Sequence, residues 1–265
     1  MTTNRSTQQR STIDPKALAG KKAVVTGGTI GMGRAIVQAL TDRGAEVVYT
    51  GRSDRRLAEA QSALATPLAH PVRSDATDTD AIAALRDQVA DRLGSIDHLF
   101  INQGIAEFQT LEEVTVDAWD RIFDVNTKGA FFTVQRLVSL MSEGGSIVFT
   151  TVSNDQIFPG LSAYSAAKEA VAAFTKVLAA ELLPRGIRVN AIAPGFILTP
   201  TMGVAELTEE QRAEFVEQGN ASTPMGRGGT VEEVAAAALY LAAEATFTTG
   251  LELPVDGGFG QGLGA

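Results

Sequence analysis

The stretch Thr26-Gly27-Gly28-Thr29-Ile30-Gly31-Met32-Gly33 follows a short β-rich run, Lys22–Thr26, and leads into a helical pattern. A strand, a glycine-rich turn and a helix N-terminus in this order form a cradle for phosphate, because free N–H groups and the helix dipole attract an anion. We expect Gly27 to allow a sharp turn, Gly31 to let the backbone approach a pyrophosphate, and Gly33 to let helix and strand pack closely. The alternative is a glycine-rich turn with a structural role only.

Apolar runs and helical patterns alternate along the chain. The predicted strands are Lys22–Thr26, Glu46–Thr50, Leu68–Arg73, Ile96–Asn102, Gly145–Thr151, Ile187–Ala193 and Gly250–Val255. The predicted helices are Gly31–Arg43, Asp54–Leu64, Asp78–Leu93, Val116–Leu140 with a break near Asn126, Ser162–Leu183 and Thr230–Ala243. Strands separated by helices require crossover connections and therefore a parallel sheet. Their continuous Val/Ile runs are typical of strands that are buried on both faces.

This alternation predicts an α/β fold in a single domain: a doubly wound, parallel seven-stranded sheet with helices on both faces, the Rossmann fold. Residues 1–17 are polar and predict a flexible N-terminal arm, and residues 18–265 are assigned to the catalytic domain. One segment, about 196–227, is rich in Thr, Glu, Pro and Gly and has a helical pattern around Glu209–Glu217. An insertion beyond the C-terminal end of a strand is a usual place for a substrate lid.

The composition disfavours several classes of function. The 265 residues contain no cysteine, which excludes thiol catalysis, disulfides and thiolate metal sites. The net charge of −9 disfavours nucleic acid or an anionic membrane as a partner. No apolar run approaches the roughly 20 residues that span a bilayer, and Asp and Glu show no metal-ligand spacing, so we expect a cytoplasmic protein without a metal. His70 and His98 are expected to be structural.

The second predicted strand ends in Tyr49-Thr50-Gly51-Arg52-Ser53. Dinucleotide sites without a 2′-phosphate usually have an acidic side chain near this point to bind the ribose hydroxyls. Gly51 stands where that acid is expected, and a guanidinium at Arg52 beside a hydroxyl at Ser53 suits a phosphate. The sequence therefore favours NADPH over NADH, although Arg52 could instead stack on the adenine or face water. Arg55 and Arg56 are interpreted as part of a solvated helix face.

Tyr164 and Lys168 are four residues apart near the start of a predicted helix, so they share one helix face. An ammonium near a phenol favours the phenolate and should lower the pKa of the tyrosine. Such a tyrosine can donate a proton to a forming alkoxide or remove one from an alcohol. A surface Tyr/Lys pair on an amphipathic helix is the alternative.

Two further sets of polar residues follow predicted strands on the same edge of the sheet. Asp75 comes after the third strand and could accept a hydrogen bond from an adenine amino group. Asn102 and Gly104 come after the fourth strand, in a turn that could contact the ribose. All three are also ordinary turn residues.

Taken together, these motifs resemble those of the short-chain dehydrogenase/reductase family, over roughly residues 18–258. The motifs that occur in family order are Thr26–Gly33, Asn102-Gln103-Gly104, Asn126, the Tyr164/Lys168 pair, Pro194-Gly195 and Asp256-Gly257-Gly258. The resemblance implies an NADP(H)-preferring oxidoreductase, either a ketoreductase or an alcohol dehydrogenase, that moves hydride between nicotinamide and a ketone or secondary alcohol. It also implies a homotetramer or homodimer with a small-molecule substrate.

The resemblance further implies roles for individual residues. Tyr164 would be the general acid/base, Lys168 would lower its pKa and hold the nicotinamide ribose, and Asn126 would help hold a water that links Lys168 to solvent. Residues from Pro194 to Thr199 would line the nicotinamide, with Thr199 near its carboxamide. The complete predicted cofactor-binding set is Gly27, Thr29, Ile30, Gly31, Gly33, Arg52, Ser53, Asp75, Ala76, Asn102, Gly104, Tyr164, Lys168, Pro194, Gly195, Ile197 and Thr199.

The sequence departs from the family at a hydroxyl that should polarise the substrate carbonyl, an oxyanion-type role. The family usually has a serine about thirteen residues before the tyrosine. Counting back thirteen residues from Tyr164 reaches Thr151, counting forward along the strand reaches Val152, and the next serine, Ser153, is eleven before the tyrosine. A slip of one residue decides which side chain points inward. Ser153 and Thr151 are therefore equal candidates, and a third possibility is that neither serves.

Other functions on the same scaffold stay open. The Tyr/Lys pair can also serve epimerisation, dehydration or imine reduction. A nucleotide-sensing or scaffolding protein without turnover is the other alternative, supported by the missing serine. A small or medium organic ketone is favoured as substrate, because apolar walls could come from Ile157, Phe158, Leu161, Phe196, Ile197, Leu198 and Met202.

Overall fold

The computed structural model describes residues 16–154, 159–200 and 208–263. Within them, seven strands form one sheet: β1 (Lys22–Thr26), β2 (Glu46–Gly51), β3 (Ala69–Arg73), β4 (Ile96–Ile101), β5 (Met141–Thr150), β6 (Arg188–Pro194) and β7 (Glu252–Val255). The strand order is β3-β2-β1-β4-β5-β6-β7, and all neighbouring strands are parallel. The predicted parallel seven-stranded sheet is confirmed.

Helices cover both faces of this sheet. The α-helices in the described part of the chain are α1 (Gly31–Thr41), α2 (Asp54–Leu64), α3 (Thr79–Leu93), α4 (Val116–Phe123), α5 (Gly129–Leu137), α6 (Ser162–Leu182), α7 (Glu209–Ser222) and α8 (Val231–Leu239). Side chains of α1, α2 and α8 form one core layer with the sheet, and those of α3, α5 and α6 form the other. Because side chains alternate along a strand, Val24 and Val25 of β1 enter opposite layers. The predicted doubly wound arrangement is therefore confirmed.

The chain changes direction across the sheet between β1 and β4. From β1 it continues outward to β2 and β3, whereas from β4 it continues to β5, β6 and β7. The loops after β1 and β4 therefore diverge and open a crevice, which is where open α/β sheets bind ligands. The glycine turn follows β1 and the Asn102-Gln103-Gly104 turn follows β4, so both motifs lie at this crevice.

The predicted long helix Val116–Leu140 is interrupted near Asn126, as expected. A π-helical turn, Asp124–Lys128, joins α4 to α5, and a 3₁₀ turn, Val138–Leu140, follows α5. Single π turns inside helices are frequent at functional sites, because the widened backbone redirects one side chain. No helix in the described ranges is long and apolar enough to cross a membrane.

Several boundaries differ from the sequence prediction, among them those of β5 and α7. β5 begins at Met141 rather than at Gly145, because Met141 already pairs with Ile96 before the register shifts. α7 extends to Ser222, beyond the predicted helical segment Glu209–Glu217. The Phe215 ring of this helix packs edge-on against the Phe196 ring, with 5.7 Å between the ring centroids. Helix α7 therefore covers the chain where it leaves β6.

Candidate functional site

The glycine turn has the backbone conformation that a phosphate cradle needs. Gly27 and Gly31 have φ angles of +63° and +55°, a region that side chains disfavour. A Cβ added to Gly33 would collide with the carbonyl oxygen of Gly27, so α1 can approach the turn only with glycine there. The cap residue of α1, Ile30, makes no side-chain cap hydrogen bond, and thus does not compete with an anion for the first N–H groups.

Basic side chains lie at the end of β2. A Cβ added to Gly51 would lie 2.5 Å from the Thr29 methyl group, so an acidic side chain does not fit there without a shift. Arg52 and Arg56 border the same cleft as the glycine turn, whereas Arg55 pairs with a glutamate, Glu59. Arg56 is exposed, as expected for a solvated helix face, and it also borders the cleft one turn from Arg52.

This cleft has a volume of about 630 Å³ and brings most of the predicted site residues together. The predicted residues that line it are Gly27, Thr29, Ile30, Gly31, Arg52, Ser53, Asp75, Ala76, Asn102, Gly104, Thr151, Tyr164, Lys168, Pro194, Gly195, Ile197 and Thr199. Three predicted residues lie outside the lining: Gly33, Asn126 and Ser153. Within the described residues, no cluster of His, Asp or Glu could hold a metal ion.

Tyr164 and Lys168 lie on α6 and both line the cleft. The Lys168 Nζ atom is 6.0 Å from the centroid of the Tyr164 ring and donates a hydrogen bond to the carbonyl oxygen of Thr150 at 2.8 Å. Burial lowers the pKa of Lys168 to about 8 and raises the pKa of Tyr164 to about 12. The predicted direction for the tyrosine pKa is wrong in this geometry, because lost hydration of the phenolate outweighs the ammonium. The phenol is consequently protonated at neutral pH.

Asn126 is held in the π turn and is only 1% exposed. Its Nδ2 atom donates to the carbonyl oxygens of Ile105 and Ile122, both at 2.9 Å, and its Oδ1 atom accepts from the Ile105 N–H at 3.2 Å. A Cβ added to Gly104 would lie 2.8 Å from Asn126 Oδ1 and 3.2 Å from Lys168 Nζ. Asn126 therefore lies behind the cleft surface and faces Lys168, which lines the cleft, across Gly104.

Two further polar side chains, those of Asn102 and Asp75, line the cleft. The Asn102 N–H donates to the Thr26 hydroxyl at 3.0 Å, and the Asn102 Oδ1 atom accepts from the Thr150 hydroxyl at 3.3 Å. Asp75 accepts from the Thr77 N–H at 2.9 Å, and this hydrogen bond is the main cause of a lowered carboxyl pKa. Asp75 is therefore an ionised acceptor at the cleft edge, as its predicted role requires.

Neither candidate for the missing serine offers a free hydroxyl. The Thr151 hydroxyl donates to the Ile192 carbonyl oxygen at 2.9 Å, and the Ser153 hydroxyl donates to Asp256 Oδ2 at 3.2 Å. Both side chains are buried, and Ser153 does not line the cleft. In this structure both hydroxyl protons are therefore directed into the sheet and its edge, and whether Ser153, Thr151 or neither polarises a substrate carbonyl stays a prediction.

Several residues that line the cleft are absent from the predicted site, among them Arg56, Gln103, Val152 and Phe215. The Gln103 Oε1 atom accepts from the Thr26 hydroxyl, and its Nε2 atom is buried without a partner in the described residues. Val152 is reached by counting forward along β5, so a signal for it existed. Phe215 could not be found from sequence, because the packing of α7 on the chain after β6 brings it to the cleft.

Only some of the apolar residues predicted to form the substrate wall line the cleft. Phe196 and Ile197 line the cleft, whereas Leu161 and Leu198 do not. Ile157, Phe158 and Met202 lie outside the described residues.

Comparison with known proteins agrees with this arrangement. Residues 27–260 match the sequence family described as enoyl-(acyl carrier protein) reductase. The chain is 39% identical over 255 residues to the cis-4-hydroxycyclohexanecarboxylate dehydrogenase of Sinomonas cyclohexanicum, covering 92% of this chain and 98% of that protein. It is 35% identical over 250 residues to the NADP-dependent (R)-specific alcohol dehydrogenase of Lentilactobacillus kefiri, covering 91% of this chain and 97% of that protein.

A solved structure of a dehydrogenase/reductase from Sinorhizobium meliloti 1021 is similar throughout, with a TM-score of 0.83 and 32% identity over 93% of this chain and 98% of that one. A parallel seven-stranded sheet with a glycine turn at its crevice is the arrangement of dinucleotide-binding α/β folds. The chain belongs to the short-chain dehydrogenase/reductase family and is an oxidoreductase of that family.

Proposed function

We propose that this protein reduces ketones to secondary alcohols, and catalyses the reverse oxidation, with NADPH preferred over NADH and with Tyr164 as the general acid/base. The observation that carries the proposal is that Tyr164 and Lys168 share one cleft with the glycine turn and with Arg52. A phosphate cradle and a proton donor in one cleft are what hydride transfer from a dinucleotide requires. The alcohol dehydrogenase relative is described as NADP-dependent, which supports the same direction.

The cleft fits a dinucleotide in three respects. Its glycine turn leaves the backbone open at Gly31, where an added Cβ would meet only Thr199, at 3.6 Å. The buried Nε2 atom of Gln103 lacks a partner in the described residues, and a buried amide donor normally finds an acceptor, such as a phosphate or ribose oxygen. Asp75 supplies an acceptor at the other end of the cleft. Gly33 would serve the site indirectly, by letting α1 approach the turn.

The preference for NADPH rests on charge at the end of β2. Arg52 and Arg56 both border the cleft, and the Ser53 side chain lies between them in sequence. Guanidinium and hydroxyl donors bind a ribose 2′-phosphate. An NADH site usually has a carboxylate at the end of β2, and at Gly51 such a side chain would fit only if the Thr29 methyl group shifted. Arg52 and Arg56 would therefore hold the 2′-phosphate of a bound NADPH.

Reduction of the ketone transfers one hydride and one proton to its carbonyl group. When bound, the reduced nicotinamide supplies a hydride, and is itself oxidised. A C–H bond forms at the carbonyl carbon, the C=O π electrons move to oxygen, and the O–H bond of Tyr164 breaks as its proton passes to that oxygen. The Lys168 ammonium stabilises the resulting phenolate electrostatically and holds the ribose. Asn126, which faces Lys168 across Gly104, orders the route by which a proton returns.

The substrate enters beside apolar side chains. Phe196, Ile197 and Phe215 form one wall of the cleft, which favours a small or medium ketone with hydrocarbon substituents. The described parts of the segment 196–227 would serve as the substrate lid of a single catalytic domain, residues 18–265, whereas most of the predicted arm, residues 1–15, and residues 201–207 of the lid lie outside the described residues. Apolar side chains exposed on α4, α5 and α6, such as Trp119, Phe131 and Val177, favour assembly with further copies of this chain, as a homodimer or homotetramer. A cytoplasmic location is part of the same proposal.

A titration of the purified protein with NADPH and NADH, followed by nicotinamide fluorescence, tests the cofactor assignment. NADPH should bind at least tenfold more tightly than NADH, and Arg52→Ala should weaken NADPH far more than NADH. Equal losses for both would overturn the role of Arg52. Arg55→Ala is the matched control, because Arg55 pairs with Glu59 instead of bordering the cleft.

A ketone panel with NADPH, run on wild type and Tyr164→Phe, tests the reaction. Tyr164→Phe should keep its affinity for NADPH and lose most turnover, by at least about a hundredfold, which is the usual contribution of general acid catalysis. Full activity in Tyr164→Phe would overturn the mechanism. Tight NADPH binding without turnover of any ketone or alcohol by wild type would instead favour a nucleotide-binding protein without this reaction.

A further inference from the structure

The chain that leaves β5 keeps its pairing with β6 for three more residues. The Thr151 N–H donates to the Ile192 carbonyl oxygen at 2.9 Å, and the Ser153 N–H donates to the Pro194 carbonyl oxygen at 3.2 Å. Side chains alternate between the two faces of an extended chain. The buried Thr151 and Ser153 side chains therefore differ in direction from the residue between them, Val152.

Val152 lies on the cleft side of this segment. It is half-buried and lines the cleft together with Tyr164 and Lys168. Thr151 also lines the cleft, but its hydroxyl donates to the Ile192 carbonyl oxygen, and the Ser153 hydroxyl donates to Asp256. One backbone hydrogen bond on each side of Val152, from Thr151 and from Ser153, holds the segment in this register. A shift that brought a hydroxyl into its place would break both of them.

We propose that Val152 contacts the substrate at the reacting carbonyl and thereby limits the rate and selects the substrate. This inference rests on the proposed function. A carbonyl oxygen that gains negative charge is stabilised by each hydrogen bond aimed at it, and removal of one such donor typically costs on the order of a hundredfold to a thousandfold in rate. At this wall the oxygen meets an isopropyl group instead of a donor, so Tyr164 carries more of the stabilisation.

The substrate chemistry follows from that arrangement. A carbonyl with an electron-withdrawing neighbour has a carbon that accepts hydride more readily and an oxygen that needs less stabilisation. Wild type therefore favours activated carbonyl compounds, such as keto esters, diketones or ring-substituted aryl ketones with electron-withdrawing groups. Unactivated ketones react slowly, and the hydrocarbon contact at Val152 favours an apolar substituent beside the carbonyl.

The test uses Val152→Thr, which adds a hydroxyl at nearly constant volume, and Val152→Ser as a second variant. Val116→Thr is the matched control, because it makes the same change at an exposed position outside the cleft, and Thr151→Val tests whether the neighbouring hydroxyl already serves the carbonyl. Each protein is assayed with saturating NADPH on acetophenones carrying a 4-nitro, no or a 4-methoxy substituent, and its affinity for NADPH is measured by fluorescence.

Val152→Thr or Val152→Ser should raise kcat/KM for unsubstituted acetophenone about tenfold or more, with a smaller gain for the 4-nitro compound. Affinity for NADPH should stay within about threefold, and Val116→Thr should keep its rate within about threefold. A large rate loss in Thr151→Val, or no gain in both Val152 variants while wild type turns over, would overturn the inference but leave the proposed function intact. If wild type and both variants bind NADPH and none reduces any ketone, the proposed function itself fails.

Discussion

The Lys168 Nζ atom donates a hydrogen bond to the carbonyl oxygen of Thr150 at 2.8 Å, and so joins the first turns of α6 to the last residue of β5. Lys168 is only 4% exposed, and burial lowers its pKa from the ordinary value of 10.5 to about 8. A charged lysine in this position therefore costs the folded protein stability at neutral pH, and that cost disappears when the lysine loses its proton.

We expect the free energy of unfolding to rise between about pH 8 and pH 10.5 by an amount that depends on Lys168. In this window the unfolded chain binds a proton at Lys168 that the folded chain has released, so a higher pH favours the folded state. The difference between 10.5 and about 8 corresponds to about 3 kcal/mol. Urea unfolding at about pH 7.5, 9 and 10.5 should show wild type gaining this amount relative to Lys168→Met. A difference between the two proteins that is constant with pH would contradict the assignment.

The pH dependence of turnover should follow the raised pKa of Tyr164. Because burial raises this pKa to about 12, the phenol is a proton donor over the neutral range, and is rarely a phenolate that could act as a base. Ketone reduction should therefore keep a nearly constant kcat/KM from about pH 6 to pH 7.5, and should fall above about pH 8, where the Lys168 ammonium that stabilises the phenolate loses its proton. Alcohol oxidation should rise with pH, by up to tenfold per pH unit, as expected for one essential ionisation. Initial rates in both directions across this range measure it, and parallel profiles for the two directions would refute it.

The fold could be predicted from the sequence because each of its signals is local. The glycine turn after Lys22–Thr26 and the apolar strands that follow it depend on short-range backbone preferences and on burial of both sheet faces. The break near Asn126 was equally visible in the sequence, although its π-helical form was not. The sequence predicted no strand order, because local patterns do not specify which strands become neighbours.

The site could be predicted only in part, because hydrogen bonds between distant segments decide it. The partner of the Ser153 hydroxyl, Asp256, is 103 positions away, and nothing near Ser153 indicates it. The pKa of Tyr164 depends on how completely the surrounding elements exclude water, which the spacing to Lys168 does not reveal. The sequence likewise indicates only that Arg56 lies on an exposed helix. Arg56 borders the cleft because α2 begins three residues after β2 ends, beside the cleft.

His98 should make the protein sensitive to acid. It is 8% exposed in β4, its Nδ1 atom pairs with the Ser146 hydroxyl at 2.9 Å, and burial lowers its pKa from 6.5 to about 4. Between these values the unfolded chain binds a proton that the folded chain does not, so stability is lost as the pH falls from 6.5 to 4, by about 3 kcal/mol. His98→Asn keeps a polar group near Ser146 but cannot titrate. Thermal unfolding at about pH 7, 5.5 and 4.5 should show a steeper loss in wild type than in His98→Asn, and equal slopes would disprove the role of His98.

Asp256 should be a stability residue that ties the chain after β7 to the chain after β5. It is 8% exposed and accepts hydrogen bonds from the Ser153 hydroxyl, the Gly258 N–H and the Gly260 N–H at 3.2, 2.9 and 3.0 Å. Burial opposes the ionised carboxylate, but the hydrogen bonds from Gly260 and Gly258 outweigh it, and the pKa is lowered. The segment that follows β7 packs so closely that a Cβ on Gly260 would collide with the Ser153 hydroxyl.

Asp256→Asn should therefore reduce the free energy of unfolding by about 2 kcal/mol, since an amide replaces one acceptor oxygen with a donor and loses charge-assisted hydrogen bonds. Ser153→Ala removes one donor and should cost about 1 kcal/mol. Ser62→Ala, at an exposed helix position, is the control and should change stability by less than about 0.5 kcal/mol. Urea denaturation measures all three. Ser153→Ala should also keep its affinity for NADPH and its kcat within about threefold. A hundredfold loss of kcat at unchanged stability would return the carbonyl-polarising role to Ser153, and would mean that its hydrogen bond to Asp256 is exchanged for one to the substrate.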